Sequence, residues 1–264
     1  MIEIFQVDAF TDKPFTGNPA GVCILENELT EETMKNIAME MSVPETAFFS
    51  FNTMRLRWFT PKVEVDLCGH ATLATAAVLQ YKKLIKDNQT IQFNTLSGSL
   101  LVKAGQDGIE MDFPMIPVEA TSHNLIKLQH LGIKEQDVVF WGKAGEKDLI
   151  HLKNEQSVRE IVPDFRGLLN LPGRSVIVTS ESSLSDFDFI SRNFAPWVGV
   201  NEDPVTGSAH CALVNYWNGI LNKSEMTAFQ ASSRGGIVNM KIMDNDRVQL
   251  SGKAVITIEG QFKI

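Results

Sequence analysis

Glu45, His70, Asp203 and Ser208 are the side chains whose types and settings suit proton chemistry. Glu45 lies in Ser42-Val-Pro-Glu-Thr-Ala-Phe-Phe49, where Pro44 disfavours helix at Val43 and an alternating stretch begins at Thr46. A carboxylate at such a junction, beside two phenylalanines, is a candidate for partial desolvation, which favours its protonated form and suits it to proton transfer. The competing reading is a solvated Glu at a loop end. His70 and His210 fall in the first turns of two apolar segments, where a His also serves as a partner for backbone groups. Asp203, in Glu-Asp-Pro-Val-Thr-Gly-Ser, fits an Asx-type turn, and Ser208 fits a helix cap. Five histidines without HxxxH or HxH spacing give no metal site, so none is expected.

The elements that must position these groups come as a pair. Glu64-Val-Asp-Leu-Cys-Gly-His-Ala-Thr72 and Asn201-Glu-Asp-Pro-Val-Thr-Gly-Ser-Ala-His210 each run from an acidic turn through a glycine into about ten uncharged residues. A helix apolar on every face has nothing to present to water, so each is expected at the centre of a core. The first-turn N–H groups lack intrahelical partners and carry the positive end of the dipole, which makes Gly69–His70 and Gly207–Ser208 candidate anion grips. Gly69 and Gly207 stand 138 residues apart, as do Gly98 and Gly236. Upstream, Arg57-Trp-Phe-Thr-Pro61 matches Arg192-Asn-Phe-Ala-Pro196; downstream, Phe93-Asn-Thr-Leu-Ser matches Phe229-Gln-Ala-Ser-Ser. Several matches in one order argue for two similar halves of ordinary domain size. The expected division is 1–115, with a central helix over 70–85 and a last strand open to completion by the C-terminal tail, and 116–264, with a central helix over 208–221. The two helix starts are expected to face each other across a cleft.

Composition narrows the function. A net charge of −8 and a pI near 5.2 argue against nucleic acid, which needs a basic surface. No apolar run approaches the roughly 20 residues that span a bilayer, and the alternating start Met1-Ile-Glu-Ile-Phe-Gln-Val lacks a signal-peptide pattern. Three cysteines make no disulfide framework, so the expected location is cytoplasmic. Thr11–Gly21 is dense in turn residues and reads equally as a site lining or a long hairpin turn, and Thr30–Met41 reads as a capped surface helix carrying Met34, Ile37, Ala38 and Met41. Strands are expected at Ile2–Val7, Gly21–Leu25, Thr46–Phe51, Met54–Phe59, Val138–Trp141, Asp148–His151, Ser175–Thr179 and Phe187–Phe194, with a helix at Ser122–Leu131. Many short strands around one apolar helix in each half make an α+β chain.

The cysteines test one alternative. A racemase or epimerase that pairs two thiols would place one at each helix start. Cys68 precedes Gly69, but its repeat partner is Thr206, a poor acid or base, and Cys211 falls a turn into its helix.

Taken together, Asp8-Ala-Phe-Thr-Asp12, Phe15-Thr-Gly-Asn-Pro-Ala-Gly21, Pro44-Glu-Thr-Ala-Phe-Phe49, Arg57-Trp-Phe-Thr-Pro61, Asp66-Leu-Cys-Gly-His-Ala-Thr72 and Asn201–His210 resemble the PhzF-like family of phenazine-biosynthesis proteins. The resemblance covers both halves in order. It implies a diaminopimelate-epimerase-type fold, two strand-rich barrels each around a central helix. It also implies an isomerase working without metal or organic cofactor, commonly as a homodimer, on a small molecule. By the same resemblance Glu45 is the acid–base carboxylate, His70 and Asp203 complete the catalytic set, and Gly69, Gly207, Ser208 and Asn18 position substrate. The function so implied is proton-transfer isomerisation of a carboxylate-bearing, amino- or hydroxy-substituted substrate. The alternatives are a Cys68-dependent racemase or epimerase and a non-catalytic small-molecule binder.

Overall fold

The computed structural model describes residues 1–105 and 107–263. They form two compact units, Met1–Phe113 with Gln249–Ile264, and Pro114–Val248. Both mix short strands with few helices, so the α+β class read from the sequence is the class observed.

The first unit contains β1 (Ile2–Ala9), β2 (Asn18–Leu25), α1 (Glu31–Met41), β3 (Glu45–Ser50), β4 (Arg55–Phe59), β5 (Glu64–Val65), α2 (Gly69–Tyr81), β6 (Thr90–Thr95), β7 (Gly98–Ala104) and β8 (Ile109–Pro114). The second begins with β9 (Glu119–Ala120), α3 (Leu125–Leu131), β10 (Val138–Ala144), β11 (Lys147–Leu152), α4 (Glu155–Arg159) and α5 (Phe165–Leu169). It continues through β12 (Ser175–Glu181), β13 (Phe189–Ala195), β14 (Val200–Glu202), α6 (Gly207–Leu221), β15 (Glu225–Gln230) and β16 (Gly236–Met243); β17 (Arg247–Gly252) passes into the first unit at Gln249, and β18 (Ala254–Phe262) belongs to the first unit.

In the first unit β1 lies between β2 and β18, antiparallel to both, with Ile2 opposite Phe262 and Ala9 opposite Ala254 or Asn18. β2 runs parallel to β3, with Ala20 opposite Glu45, and β3 continues antiparallel into β4 and then β5. The second unit repeats this arrangement. β10 and β11 form a hairpin, β11 runs parallel to β12 with Lys147 opposite Ser175, and β12 continues antiparallel into β13 and then β14.

The central helices explain why their sequences carry no charge. Nine of the thirteen residues of α2 are buried, and it packs on β1, β2, β3, β7 and β18. Its two fully buried threonines are satisfied internally, since Thr72 Oγ1 donates to the Cys68 carbonyl and Thr75 Oγ1 to the Ala71 carbonyl, each at 2.7 Å. The helix ends at Tyr81, four residues short of the expected Ile85. Lys83 takes the left-handed conformation at φ 59°, and Leu84 N–H reaches back to the Leu79 carbonyl while Lys83 N–H bonds Gln80. Those two bonds make a Schellman stop. In α6, buried Trp217 donates its indole N–H to Thr179 Oγ1 at 3.0 Å.

Smaller differences have local causes. The helix expected from Ser122 begins at Leu125 because Asn124 caps it through Lys127 N–H, and α1 is capped by Thr30 through Thr33 N–H. Met34, Ile37 and Ala38 of α1 pack with Ile4, Phe48 and Phe59, while Met41 is only partly covered. In the second unit Leu128, Trp141, Ile150, Val176, Ile190 and Phe194 are the centre of the core. Among the described residues no helix is long and apolar enough to cross a membrane.

Candidate active site

An ion pair is built the same way in both units, just ahead of each central helix. Arg57 on β4 grips Glu64 on β5, with Nε to Oε1 at 2.6 Å and Nη2 to Oε2 at 2.5 Å. Arg192 on β13 grips Glu202 on β14, with the same atoms at 2.7 and 3.0 Å. Each guanidinium also lies over a phenylalanine two residues on, at 5.1 Å from the Phe59 ring centre and 4.8 Å from that of Phe194. A bidentate fork fixes its carboxylate in orientation as well as distance. Because the gripped Glu stands five residues before the helix glycine in both units, the fork also fixes where the helix begins.

In the first unit this turn delivers Cys68, Gly69 and His70. Cys68 occupies the N-cap of α2 in extended backbone and makes no side-chain capping bond. His70 is buried, with Nδ1 3.4 Å from Cys68 Sγ and Nε2 3.4 Å from Glu45 Oε2. Burial holds its pKa down to about 4, with the Pro19 carbonyl pulling the other way, so the ring is neutral at ordinary pH. The approach to Glu45 lacks hydrogen-bond geometry, and Nε2 is buried with no hydrogen-bond partner. The Pro19 carbonyl needs an N–H of this ring, and the direction of the thiol contact at Nδ1 follows the tautomer. One donor atom from each of Glu45, Cys68 and His70 lies within 4.8 Å of the others, close enough for a metal ion after small shifts. The thiol, the imidazole and the carboxylate converge on one point, and a neutral imidazole beside a carboxylate is also placed to pass a proton.

Glu45 is the first residue of β3, and its side chain is 19% exposed. Close packing sets its position: a Cβ on Gly21 would come within 2.7 Å of Thr46 Oγ1, so the strand pair approaches this closely only over a glycine. Asn18 begins β2, fully buried, next to the Pro19 that faces His70. The loop before it is an ordered turn: Asp8 Oδ2 accepts from Phe15 N–H at 2.8 Å, and Gly17, at φ 69°, has no room for a Cβ, which would meet the Ala9 carbonyl at 2.2 Å. Glu45, His70, Gly69 and Asn18 are thus brought to one end of the first unit's sheet and helix.

Asp203, Gly207 and Ser208 lie together in the second unit. Thr206, the N-cap of α6, donates its hydroxyl to Asp203 Oδ2 at 2.6 Å. Fully buried Gln230 ties the turn down: Oε1 accepts from Thr206 N–H at 2.8 Å, and Nε2 donates to the Asp203 carbonyl at 2.7 Å. His210 is also fully buried, with Nδ1 2.8 Å from the Thr206 carbonyl and a pKa held down to about 4 by that burial. Its role is internal to the turn. Cys211 is buried and its thiol pushed up to about 12, while burial in β2 pushes the Cys23 thiol up as well, so neither supplies a thiolate.

Two groups in this turn were not anticipated from the sequence. Gln230 carries no local signal beyond its place after Phe229. Lys147 opens β11, and its ammonium donates to Ser208 Oγ at 2.6 Å. In the first unit the matching strand opens with Asn18, and where β3 opens with Glu45, β12 opens with Ser175. The duplication keeps the scaffold and changes the chemistry on it: one unit carries an acid beside an imidazole, the other a cation beside a hydroxyl.

Duplicated α+β units, each presenting polar groups at the start of a buried helix, define an isomerase of the epimerase-like fold class. The family model for phenazine biosynthesis-like proteins (PhzC-PhzF) matches residues 7–260. An uncharacterized isomerase from Halalkalibacterium halodurans is 44% identical, with 98% of this chain and 97% of that one aligned. The crystal structure of a PhzF-family phenazine biosynthesis protein from Enterococcus faecalis superimposes with a TM-score of 0.93 at 39% identity, covering 100% of this chain and 99% of that one. A probable proline racemase from Agrobacterium radiobacter, at 8% identity and TM-score 0.61 over 100% of this chain and 93% of its own, shares the fold alone. The chain belongs to the PhzC-PhzF family, and it is an enzyme of the isomerase type.

Proposed function

We propose that the enzyme moves a proton within a small, conjugated substrate bearing a carboxylate and an amino or hydroxyl group, with Glu45 as the acid–base group. The Glu45 carboxylate takes a proton from carbon, the electron pair shifts along the conjugated system, and the carboxyl returns the proton at another carbon. Atoms and electrons balance without an oxidant, a reductant or an organic cofactor. His70 and Asp203 hold the heteroatoms and pass protons to them. The N–H groups at Gly69 and Gly207, with Ser208 and Asn18, position the substrate and stabilise the negative charge that develops.

The observation that carries this reading is His70 Nε2, buried, without a hydrogen bond, and 3.4 Å from the Glu45 carboxylate. A buried polar atom in that state is where a ligand's polar group belongs. The absence of a second acid at Ser175 also favours one carboxylate serving both proton steps. We further propose a cytoplasmic homodimer. The test is incubation with cyclic amino- and hydroxy-carboxylates in deuterated water, read by mass spectrometry. Label entering carbon in one of them is expected, and no label in any of a broad panel counts against the reading.

The contact of Cys68 Sγ with His70 Nδ1 favours a second reading, in which the thiol is the base of a racemase or epimerase. Cys68→Ser separates the two: exchange survives it if Glu45 is the base and disappears if the thiol is.

A further inference from the structure

Lys147 reaches Ser208 from the exit of the Gly145–Glu146 hairpin turn, with Gly145 at φ 59° letting the chain reverse between Ala144 and Lys147. Its register opposite Ser175 on β12 places it at the end of the sheet where α6 begins. An ammonium is a donor only, so in this contact Ser208 Oγ must accept, and the Ser208 hydroxyl hydrogen is left to point away from the lysine. Ser208 itself is exposed. The result is a hydroxyl polarised as a donor, with a positive charge behind it, at the N-terminal end of α6.

The groups acting on Lys147 come from three elements. Burial holds its pKa below the ordinary lysine value, Arg174 ahead of β12 pushes in the same direction, and Cys211 on α6 and Asp203 in the turn before it pull the other way. The charge of Lys147 in turn helps hold His210, on α6, neutral. Among the described residues the ammonium makes no ion pair; its one direct polar contact is the neutral Ser208. Desolvating a cation without pairing it is costly, and an arriving anion removes that cost.

We propose that Lys147 is the residue that selects a carboxylate-bearing substrate, by directing the Ser208 hydroxyl and supplying the charge opposite the carboxylate. The inference rests on the proposed function in placing substrate at Ser208, and it deepens that reading by giving the substrate's carboxylate a partner. Lys147 acts partly through Ser208, so it is a positioning residue.

Calorimetric titration of the full chain with 2-aminobenzoate and with 2-aminobenzamide isolates the carboxylate, because the two probes differ only in that group. Wild type should bind the carboxylate at least tenfold more tightly than the amide at pH 7. Lys147→Met should lose that preference while binding the amide as before, which also reports an intact fold. Lys147→Arg should keep most of it. Because the lysine loses its proton earlier than usual, the wild-type preference should decline at a lower pH than an ordinary lysine would impose, whereas that of Lys147→Arg should hold, since a guanidinium stays charged. A preference unchanged in Lys147→Met, or absent from wild type, overturns the inference. Because these readouts are equilibrium binding, a carboxylate preference that tracks Lys147 without any hydrogen exchange would reject the Glu45 mechanism and leave this inference standing.

Discussion

Replacing Gln230 by Leu should loosen the turn that carries Asp203. The side chain is fully buried and is fixed by three bonds: Thr206 N–H to Oε1 at 2.8 Å, Nε2 to the Asp203 carbonyl at 2.7 Å, and Nε2 to Thr206 Oγ1 at 3.3 Å. Leucine fills a similar volume, so the packing loss is small. Two backbone groups, the Thr206 N–H and the Asp203 carbonyl, lose the partner that Gln230 supplied, at roughly 1–3 kcal/mol for each group left unsatisfied. Removal of the buried amide offsets part of this, which leaves a net loss of about 2–4 kcal/mol. The chain has two units and need not unfold in one step, so the assay is hydrogen exchange by mass spectrometry on peptides covering 200–212. A loss of about 2–4 kcal/mol local to the turn corresponds to protection falling roughly 30- to 800-fold there, while β1 and β2 keep theirs. Peptides in 200–212 that exchange as in wild type would refute the reasoning, because they would mean that the cap and the Asp203 turn stand without Gln230.

Two further predictions concern stability. Arg192→Met should lower the melting temperature more than Arg57→Met, since Arg192 also donates to the Val158, Arg159 and Ile161 carbonyls at 3.3, 3.2 and 2.8 Å, and breaking a buried pair of that kind costs roughly 3–5 kcal/mol; equal shifts would contradict the ranking. His70 and His210 have pKa values of about 4 in the folded state against 6.5 for the free group, so the unfolded chain binds protons that the folded one rejects. Their contribution is complete above pH 6.5 and is lost as pH falls towards 4, by roughly 3 kcal/mol per imidazole. Neither ring resonance should shift between pH 8 and 5.5 in an NMR titration, and a midpoint near 6.5 for either would remove that basis.

The legible parts of this fold are those with a local signal. The uncharged runs after Gly69 and Gly207 read as buried helices because nothing in them suits water. The Arg57 and Arg192 motifs read as a repeat because each pairs an Arg-x-Phe-x-Pro stretch with a glutamate five residues before the helix glycine, although the arginine stands seven residues before its glutamate in one unit and ten in the other. The stop of α2 at Tyr81 was less accessible, since it depends on a lysine in a left-handed conformation that glycine usually takes. Within the site, the expected groups are placed by two separate turns. Contacts such as His70 with Glu45 and Lys147 with Ser208 depend on parallel pairings, β2 with β3 and β11 with β12, between strands well apart in the chain. Lys147 in particular sits after an ordinary Gly-Glu hairpin turn, and no local feature distinguishes it from a solvated lysine. Gln230 was hidden for the same reason, its partners being 24 and 27 residues away.

In the proposed mechanism the Glu45 carboxylate carries the proton. Its most direct measurement is the rate of deuterium entry into a bound substrate's carbon in Glu45→Gln beside wild type, with ligand affinity measured on the same samples. Affinity should stay within a few-fold while exchange falls by a factor on the order of 10² to 10⁴, the range that a general acid–base group contributes. Exchange at the wild-type rate in that variant would contradict it.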